Sequence, residues 1–310
     1  MKTPILFIIF NRLETAQQVF FSIKKYQPDH LYIAADGSRT DKLGEKEKCE
    51  SVRTWVLAHI DWECEVQTLF QNKNLGCGRG PSTAISWFFT NEDEGIILED
   101  DTVPHIDFYN YAAILLEKYR GNQDILAINS SNFQDRNRSD GSYYFSMQNG
   151  PLCAWATWKR AWELFDFEME KYSESQIIKS IRWYKTKKRE RNWWLDIYRG
   201  LKTNRYKGSS WDFQFIFAIW ISHGKSIVPN VNLSTNIGFG HEATHTINPN
   251  AVTANKRSEA ILPISHPSVT KICREADLYY HDFYYDKFVE HISIFKKIKR
   301  SIKEIMKKHV

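Results

Sequence analysis

The sequence predicts an α/β domain, a mostly parallel sheet with helices on both faces. Three observations predict it. From Ile5 to Asp101, short apolar runs of strand length alternate with longer stretches of helical period, which is the pattern of successive βαβ units. The last of these runs, Gly95-Ile-Ile-Leu-Glu-Asp-Asp101, is apolar until it ends in three consecutive carboxylates. So short a run bounded by charge reads as a strand buried on both faces. Finally, no Gly-x-Gly-x-x-Gly follows the first run, which disfavours a dinucleotide-binding Rossmann site.

Taken in order, Ile5–Phe10 reads as the first strand and Leu13–Tyr26 as a helix carrying Val19, Phe20 and Ile23. Leu31–Ala35 is a second strand, ended by the turn signal Asp36-Gly37-Ser38. Cys49–Leu57 is helical and Glu65–Phe70 is a third strand. Asn72–Pro81 is a Gly-rich turn before a helix near Ser82–Phe89. Within it, Gly76-Cys-Gly-Arg-Gly80 lacks the Lys-Ser/Thr of a phosphate-binding P-loop and reads as a tight turn with Arg79 beside it. After Asp101 come a helix, Phe108–Arg120, a strand, Ile125–Asn129, and a polar loop, Ser130–Gly141. A Trp-dense stretch, Leu152–Trp162, precedes a charged helical region with a mobile link, Ile177–Arg205. Ser209-Ser-Trp-Asp-Phe213 opens an apolar helix, Phe213–Ser222, with Ser210 and Asp212 as cap residues. A last strand, Ile227–Val231, leads into Asn236-Ile-Gly-Phe-Gly-His-Glu-Ala-Thr-His-Thr246. No boundary precedes about residue 285, so the expected units are one domain over 1–285 and a tail helix over 286–310.

Composition bounds the function. The 310 residues, 42% apolar and 25% charged, are those of a globular protein. The 11 Trp, 15 Tyr and 19 Phe suit either a sugar-stacking surface or a bulky core. Five cysteines without paired spacing are neither a disulfide framework nor a zinc site and fit a reducing, cytoplasmic compartment. The N-terminal apolar run stops at Asn11-Arg12, and no stretch reaches the roughly 18 apolar residues of a membrane span. Between Phe295 and Lys308 stand seven Lys or Arg and one acidic residue, Glu304. With Phe288, Ile292, Phe295, Ile298, Ile302 and Ile305 at helical spacing, residues 288–310 read as a basic amphipathic helix. It is suited either to an anionic membrane surface or to docking on the domain.

The chemistry concentrates at Glu99-Asp100-Asp101. Adjacent carboxylates repel, and they make most sense around a hard cation such as Mg²⁺ or Mn²⁺; a plain acidic loop is the alternative. Alternation along an extended chain points Glu99 and Asp101 one way and Asp100 the other. Ligands of such sheets bind beyond the carboxyl ends of the strands, an edge that would hold Asn11, Asp36, Asn74 and Asp101.

Four segments, Phe10-Asn-Arg12, Gln71-Asn-Lys-Asn-Leu-Gly76, Ile97-Leu-Glu-Asp-Asp101 and Trp211-Asp212, stand in an order that resembles the GT-A nucleotide-sugar glycosyltransferases. The set is similar to the N-acetylglucosaminyltransferase I branch and to bacterial sugar-transferase relatives, and covers roughly residues 4–245. The resemblance implies Asp101 as ligand of Mn²⁺ or Mg²⁺, with Glu99 and Asp100 orienting the ribose or donor sugar. It makes Asp36 a nucleobase or ribose contact, and Phe10, Asn11, Arg12, Asn74 and Arg79 further nucleotide-sugar contacts. Asp212 would be the general base of an inverting transfer, the helix cap being its alternative. His245, in a loop with His241, Gly238 and Gly240, would reach the diphosphate or metal, the glycines letting backbone approach a phosphate. Trp155 and Trp158 would line the sugar or acceptor pocket, or else fill the core. The implied reaction moves a sugar from a nucleotide diphosphate sugar, UDP-sugar favoured, to a hydroxyl of an acceptor. The expectation of a glycan or glycolipid acceptor in bacterial surface polysaccharide synthesis at the inner membrane face rests instead on the basic tail and the absence of the membrane anchor that eukaryotic members carry. Nucleic acid is not an expected partner. A sugar nucleotidyltransferase is disfavoured because Asn11-Arg12-Leu13-Glu14 stands where those enzymes carry a Gly-rich basic loop. A non-catalytic carbohydrate-binding module is the other alternative.

Overall fold

The computed structural model describes residues 2–147, 154–185, 187–203, 208, 210–239, 254–280 and 282. In chain order the first elements are β1 (Ile5–Ile9), α1 (Leu13–Tyr26), β2 (His30–Ala35), α2 (Glu45–Ala58), β3 (Glu65–Phe70), α3 (Gly76–Asn91) and β4 (Glu94–Glu99). There follow β5 (Thr102–Pro104), α4 (Ile106–Tyr119), β6 (Ile125–Asn129), β7 (Tyr143–Ser146), β8 (Ala154–Trp158) and α5 (Lys159–Trp162). The last are α6 (Glu174–Tyr184), α7 (Lys188–Lys202), α8 (Asp212–Ile221), β9 (Lys225–Pro229), β10 (Ser234–Asn236) and α9 (Arg274–Tyr280).

Eight strands form one sheet in the order β3-β2-β1-β4-β8-β6-β9-β7, and β5 pairs with β10 apart from it. The first four strands are mutually parallel. The chain then changes sense: β8 runs antiparallel to both β4 and β6, β9 is parallel to β6, and β7 is antiparallel to β9. The expected α/β class with a mixed, mostly parallel sheet flanked by helices is therefore observed.

Alternation along β1 divides the interior. Ile5, Phe7 and Ile9 enter the core with Val19 and Phe20 of α1, Val52 of α2 and Leu115 of α4. Leu6 points to the other face, with Ile85 and Phe88 of α3 and the aromatic α8. A period of two therefore buries both faces of one strand, as helix layers on each side require.

Several helix ends are legible in the sequence. Glu14 opens α1, and Lys24 with Lys25 closes it, matching the helix dipole. Ser173 and Gln176 form a reciprocal capping box at α6. Other expectations are corrected. Asn72–Pro81 is not all turn: α3 begins at Gly76 and contains Pro81. Strand alternation ends at Glu99, so Asp100 and Asp101 lie in a turn and their carboxylates need not diverge. The Trp-dense stretch contributes the central strand β8, because its alternation buries Trp155 and Trp158 on opposite faces. The strand β7 and the β5–β10 ribbon have no counterpart among the expected elements. Among the described residues Cys49, Cys64 and Cys273 are free thiols. No helix of the described residues is long and apolar enough to cross a membrane. The basic tail, 288–310, lies outside them.

Candidate active site

Because β1, β2 and β4 run parallel, their carboxyl ends deliver Phe10-Asn11-Arg12, Asp36 and Glu99-Asp100-Asp101 to one edge. There Nη2 of Arg12 donates to Oδ1 of Asp100 and, at 3.0 Å, to Oδ2 of Asp101. Asp100 also accepts the Phe10 amide at 3.2 Å and is buried. Burial pushes its carboxyl up to about 6, against the pull of Arg12. Glu99 is the last residue of β4. Burial, and then the charges of Asp101, Asp100 and Asp212, push it up to about 8, with Arg12 opposing. Of the three carboxyls, Asp100 is locked in a salt bridge, Asp101 shares the same guanidinium, and Glu99 feels the charges of Asp101, Asp100 and Asp212.

Asp36 organises the neighbouring loop. Its Oδ1 accepts the amides of Gly37 at 2.9 Å and Leu75 at 2.8 Å; its Oδ2 accepts the Gly76 amide at 2.9 Å and Asn74 Nδ2 at 3.1 Å. Asn74 Nδ2 also donates to the Gly37 carbonyl at 2.7 Å. Below them Arg53 donates to the carbonyls of Asp36 and Gln71, both at 3.0 Å, and ties the ends of β2 and β3 together. Burial raises the Asp36 carboxyl and the three amides oppose that shift. The carboxylate expected to contact nucleobase or ribose is filled by donors of the chain, and a ligand would reach it only by displacing one.

Asn11 Nδ2 donates at 2.9 Å to Oε1 of Glu45, which also binds the amide of Arg39 at 2.7 Å and its guanidinium. The Arg39 guanidinium stands 5.7 Å from the centre of the Phe10 ring. Arg39, Glu45 and Arg53 were not singled out in the sequence. The signal for Arg39 was its place three residues after Asp36; Glu45 and Arg53 sit on a helix with no motif.

The second wall comes from the far half of the chain. Gly208 has φ +83° and Gly78 packs against it, donating its amide to the Gly208 carbonyl at 3.0 Å. Cys77 Sγ lies 3.6 Å from the same oxygen. Burial, and then the charges of Glu99, Asp212 and Asp36, raise the Cys77 thiol. Asp212 is half-buried at the first residue of α8, where Ser210 Oγ donates to its Oδ1. The expected cap is corrected here: Trp211 is the N-cap residue and no side chain caps the helix. The helix end still favours the ionised carboxylate by its dipole. Trp155 stacks on Trp211 with ring centres 5.6 Å apart and has no exposed surface, so it is core and presents no face to a ligand. Trp158 is likewise core. Arg79 turns outward, pairing with Glu168 over the ring of Phe167.

The third side is Gly238. A Cβ there would stand 2.2 Å from Oδ2 of Asp101. The Ile237 amide donates to the Asp101 carbonyl at 2.8 Å, and the Asn255 amide donates to the Asn236 carbonyl at 3.0 Å. Gly238 therefore admits backbone to the Asp101 carboxylate. His241 and His245 lie outside the described residues.

A hard cation fits this donor set through one residue. Asp101 presents carboxylate oxygen, Oδ1 meeting Thr102 Oγ1 at 3.4 Å, and Oδ2 already takes a cationic group, Arg12. Among the described residues no group of three or more His, Cys, Asp or Glu could hold a metal. The remaining ligands would have to be substrate oxygens and water.

No family model and no curated protein sequence matches the chain. Among solved structures it is similar to mouse xyloside xylosyltransferase 1, with 10% identity over 72% of this chain and 83% of that one, at a TM-score of 0.35. It is also similar to HddC from Yersinia pseudotuberculosis, with 10% identity over 56% and 80%, at a TM-score of 0.32. A third is 4-diphosphocytidyl-2C-methyl-D-erythritol synthase from Anaerococcus prevotii, with 8% identity over 52% and 74%, at a TM-score of 0.32. Likenesses this distant carry no argument about activity.

Proposed function

We propose that the chain is a metal-dependent, inverting glycosyltransferase that takes a sugar from a nucleotide diphosphate sugar, UDP-sugar favoured, to a hydroxyl of a glycan or glycolipid. The observation that carries the reading is that Asp212, at the start of α8, lies near enough to Glu99, the last residue of β4, for its charge to raise that carboxyl, with Asp101 two residues further on. A carbohydrate-binding module has no use for carboxylates converging from two halves of the chain. A nucleotidyltransferase would need a Gly-rich basic loop after β1, and here α1 starts at Leu13 directly after Arg12.

In this reading Asp212 accepts the proton of the acceptor hydroxyl as it attacks the anomeric carbon, kept ionised by the α8 N-terminus. Glu99 faces the donor sugar and hydrogen-bonds its hydroxyls. Phe10, Asn11, Arg12 and the Asp36–Asn74 loop hold the nucleotide, and Arg79 would join them only by leaving Glu168. His245 would join from the late loop. A Mn²⁺ or Mg²⁺ ion on Asp101 would supply the Lewis acid that neutralises the departing diphosphate. The basic 288–310 segment would bring the protein to an anionic membrane surface where a glycolipid acceptor lies.

The test is thermal unfolding with a panel of nucleotides and nucleotide sugars, with and without Mn²⁺, since a ligand of the folded state raises stability by mass action. A Mn²⁺-dependent shift with one nucleoside diphosphate, lost in Asp101→Asn, supports the reading. No shift with any nucleotide removes it in favour of a carbohydrate-binding module.

A further inference from the structure

Arg12 occupies an unusual electrostatic position. One nitrogen, Nη2, donates to two carboxylates of the same turn, Asp100 and Asp101. The three side chains are 20%, 6% and 16% exposed, so water screens this triad poorly. Asp100 is the more enclosed anchor, held also by the Phe10 amide. Asp101 is the outer partner, and its other oxygen meets only the distant Thr102 hydroxyl among the described residues. A guanidinium and a divalent ion carry like charge, and neither shares Oδ2 of Asp101 without repulsion.

We infer that Arg12 is the resident counter-cation of the acidic turn. In the ligand-free protein it neutralises Asp101 and keeps that carboxylate from capturing a divalent ion. A nucleoside diphosphate draws the outer edge of the guanidinium onto its own oxygens, which suit Arg by geometry and charge. Asp100 keeps its bond to Nη2 as a pivot, and Asp101 is released to the ion that arrives with the diphosphate. Metal and diphosphate then bind with positive and reciprocal coupling. Arg12 is a positioning residue in this account. The diphosphate half of it rests on the glycosyltransferase reading; the claim about the ligand-free protein does not.

Mn²⁺ binding to the full chain, read from the electron paramagnetic resonance signal of the free aqua ion, tests this without turnover. In the absence of nucleotide, Arg12→Gln is expected to bind Mn²⁺ about tenfold tighter than wild type, the size of an ordinary coupling factor. Asp101→Asn added to that variant removes the gain. UDP is expected to tighten Mn²⁺ on wild type by about tenfold and to do much less on Arg12→Gln. Equal or weaker Mn²⁺ binding by Arg12→Gln with an unchanged melting temperature overturns the inference, as does tight binding by nucleotide-free wild type. If Arg12→Gln does not fold, Arg12→Lys replaces it. Its compact ammonium reaches one carboxylate, so its affinity falls between, and affinity equal to wild type overturns the inference. Failure of UDP and every other nucleoside diphosphate to bind removes the glycosyltransferase reading, while the nucleotide-free comparison still decides the role of Arg12.

Discussion

Gly78 and Gly208 touch through their backbones. The amide of one donates to the carbonyl of the other at 3.0 Å, and a Cβ on Gly78 would stand 2.9 Å from that carbonyl and 2.9 Å from the Ser210 carbonyl. Positions 78 and 208 are 130 residues apart, so this contact joins the first half of the sheet to the segment that delivers Asp212. Gly78→Ala has only backbone to push against. The expected outcome is a loss of about 1–3 kcal/mol of stability and, if the glycosyltransferase reading holds, a fall in transfer rate from displacement of Asp212. Urea unfolding and steady-state rates measured on one preparation check it; an alanine variant with wild-type values on both would show that the seam tolerates a methyl.

Asp212→Asn is nearly isosteric and retains the Ser210 contact. If Asp212 removes the acceptor proton, kcat falls about 10²–10⁴-fold while the nucleotide-induced thermal shift stays. Stability should drop by no more than about 1 kcal/mol, the value of one charge at a helix N-terminus. A large loss of stability with modest loss of rate would assign the residue to the helix end alone.

Lys185 is fully buried between α6 and α7, 3.0 Å from Glu190, with the rings of Trp194 and Trp220 beside it. Glu190→Gln leaves an ammonium in the core without its carboxylate and is expected to cost about 3–5 kcal/mol. Replacing the pair together, Lys185→Met with Glu190→Leu, should cost much less. Chemical denaturation of the single and double variants checks both.

His30 Nδ1 lies 2.7 Å from Glu92 Oε1, which also accepts the Tyr32 hydroxyl at 2.9 Å. The Glu92 hydrogen bond raises the His30 pKa above its ordinary 6.5, burial opposing. A histidine whose folded pKa exceeds its unfolded value contributes stability that is complete below the unfolded pKa and lost as pH rises through the folded one. Folding stability should therefore decline across the window that opens at about pH 6.5. Glu92→Gln should flatten this decline, as measured by unfolding at a series of pH values.

Much of the first half was legible because strand alternation and helix periodicity are local. β3 begins and ends where apolar pattern and turn residues place it, and the carboxylates of β4 reach the edge that parallel strands dictate. The second half was less legible, for physical reasons. β8 hides in a Trp-rich run because both its faces are buried and no polar residue marks a surface. β7 is recognisable only by its pairing with β9. At the site, Asp101 and Asp212 were visible as motif residues, but the bond of Arg12 to two carboxylates and the packing of Gly78 on Gly208 are long-range relations without a sequence signature. Asp36 was visible as an edge carboxylate, and its commitment to Leu75 and Gly76 was not.

That commitment has a kinetic consequence. The amides of Leu75 and Gly76 end on a half-buried carboxylate instead of in water, so their exchange with deuterated solvent requires the whole joint between β2 and α3 to open. These two amides should exchange slowly in the protein without any ligand, at a pace set by that opening, and should slow little further when nucleotide is added. A loop held by its own aspartate is already in its working shape before anything binds, and the entropy of ordering it is settled during folding.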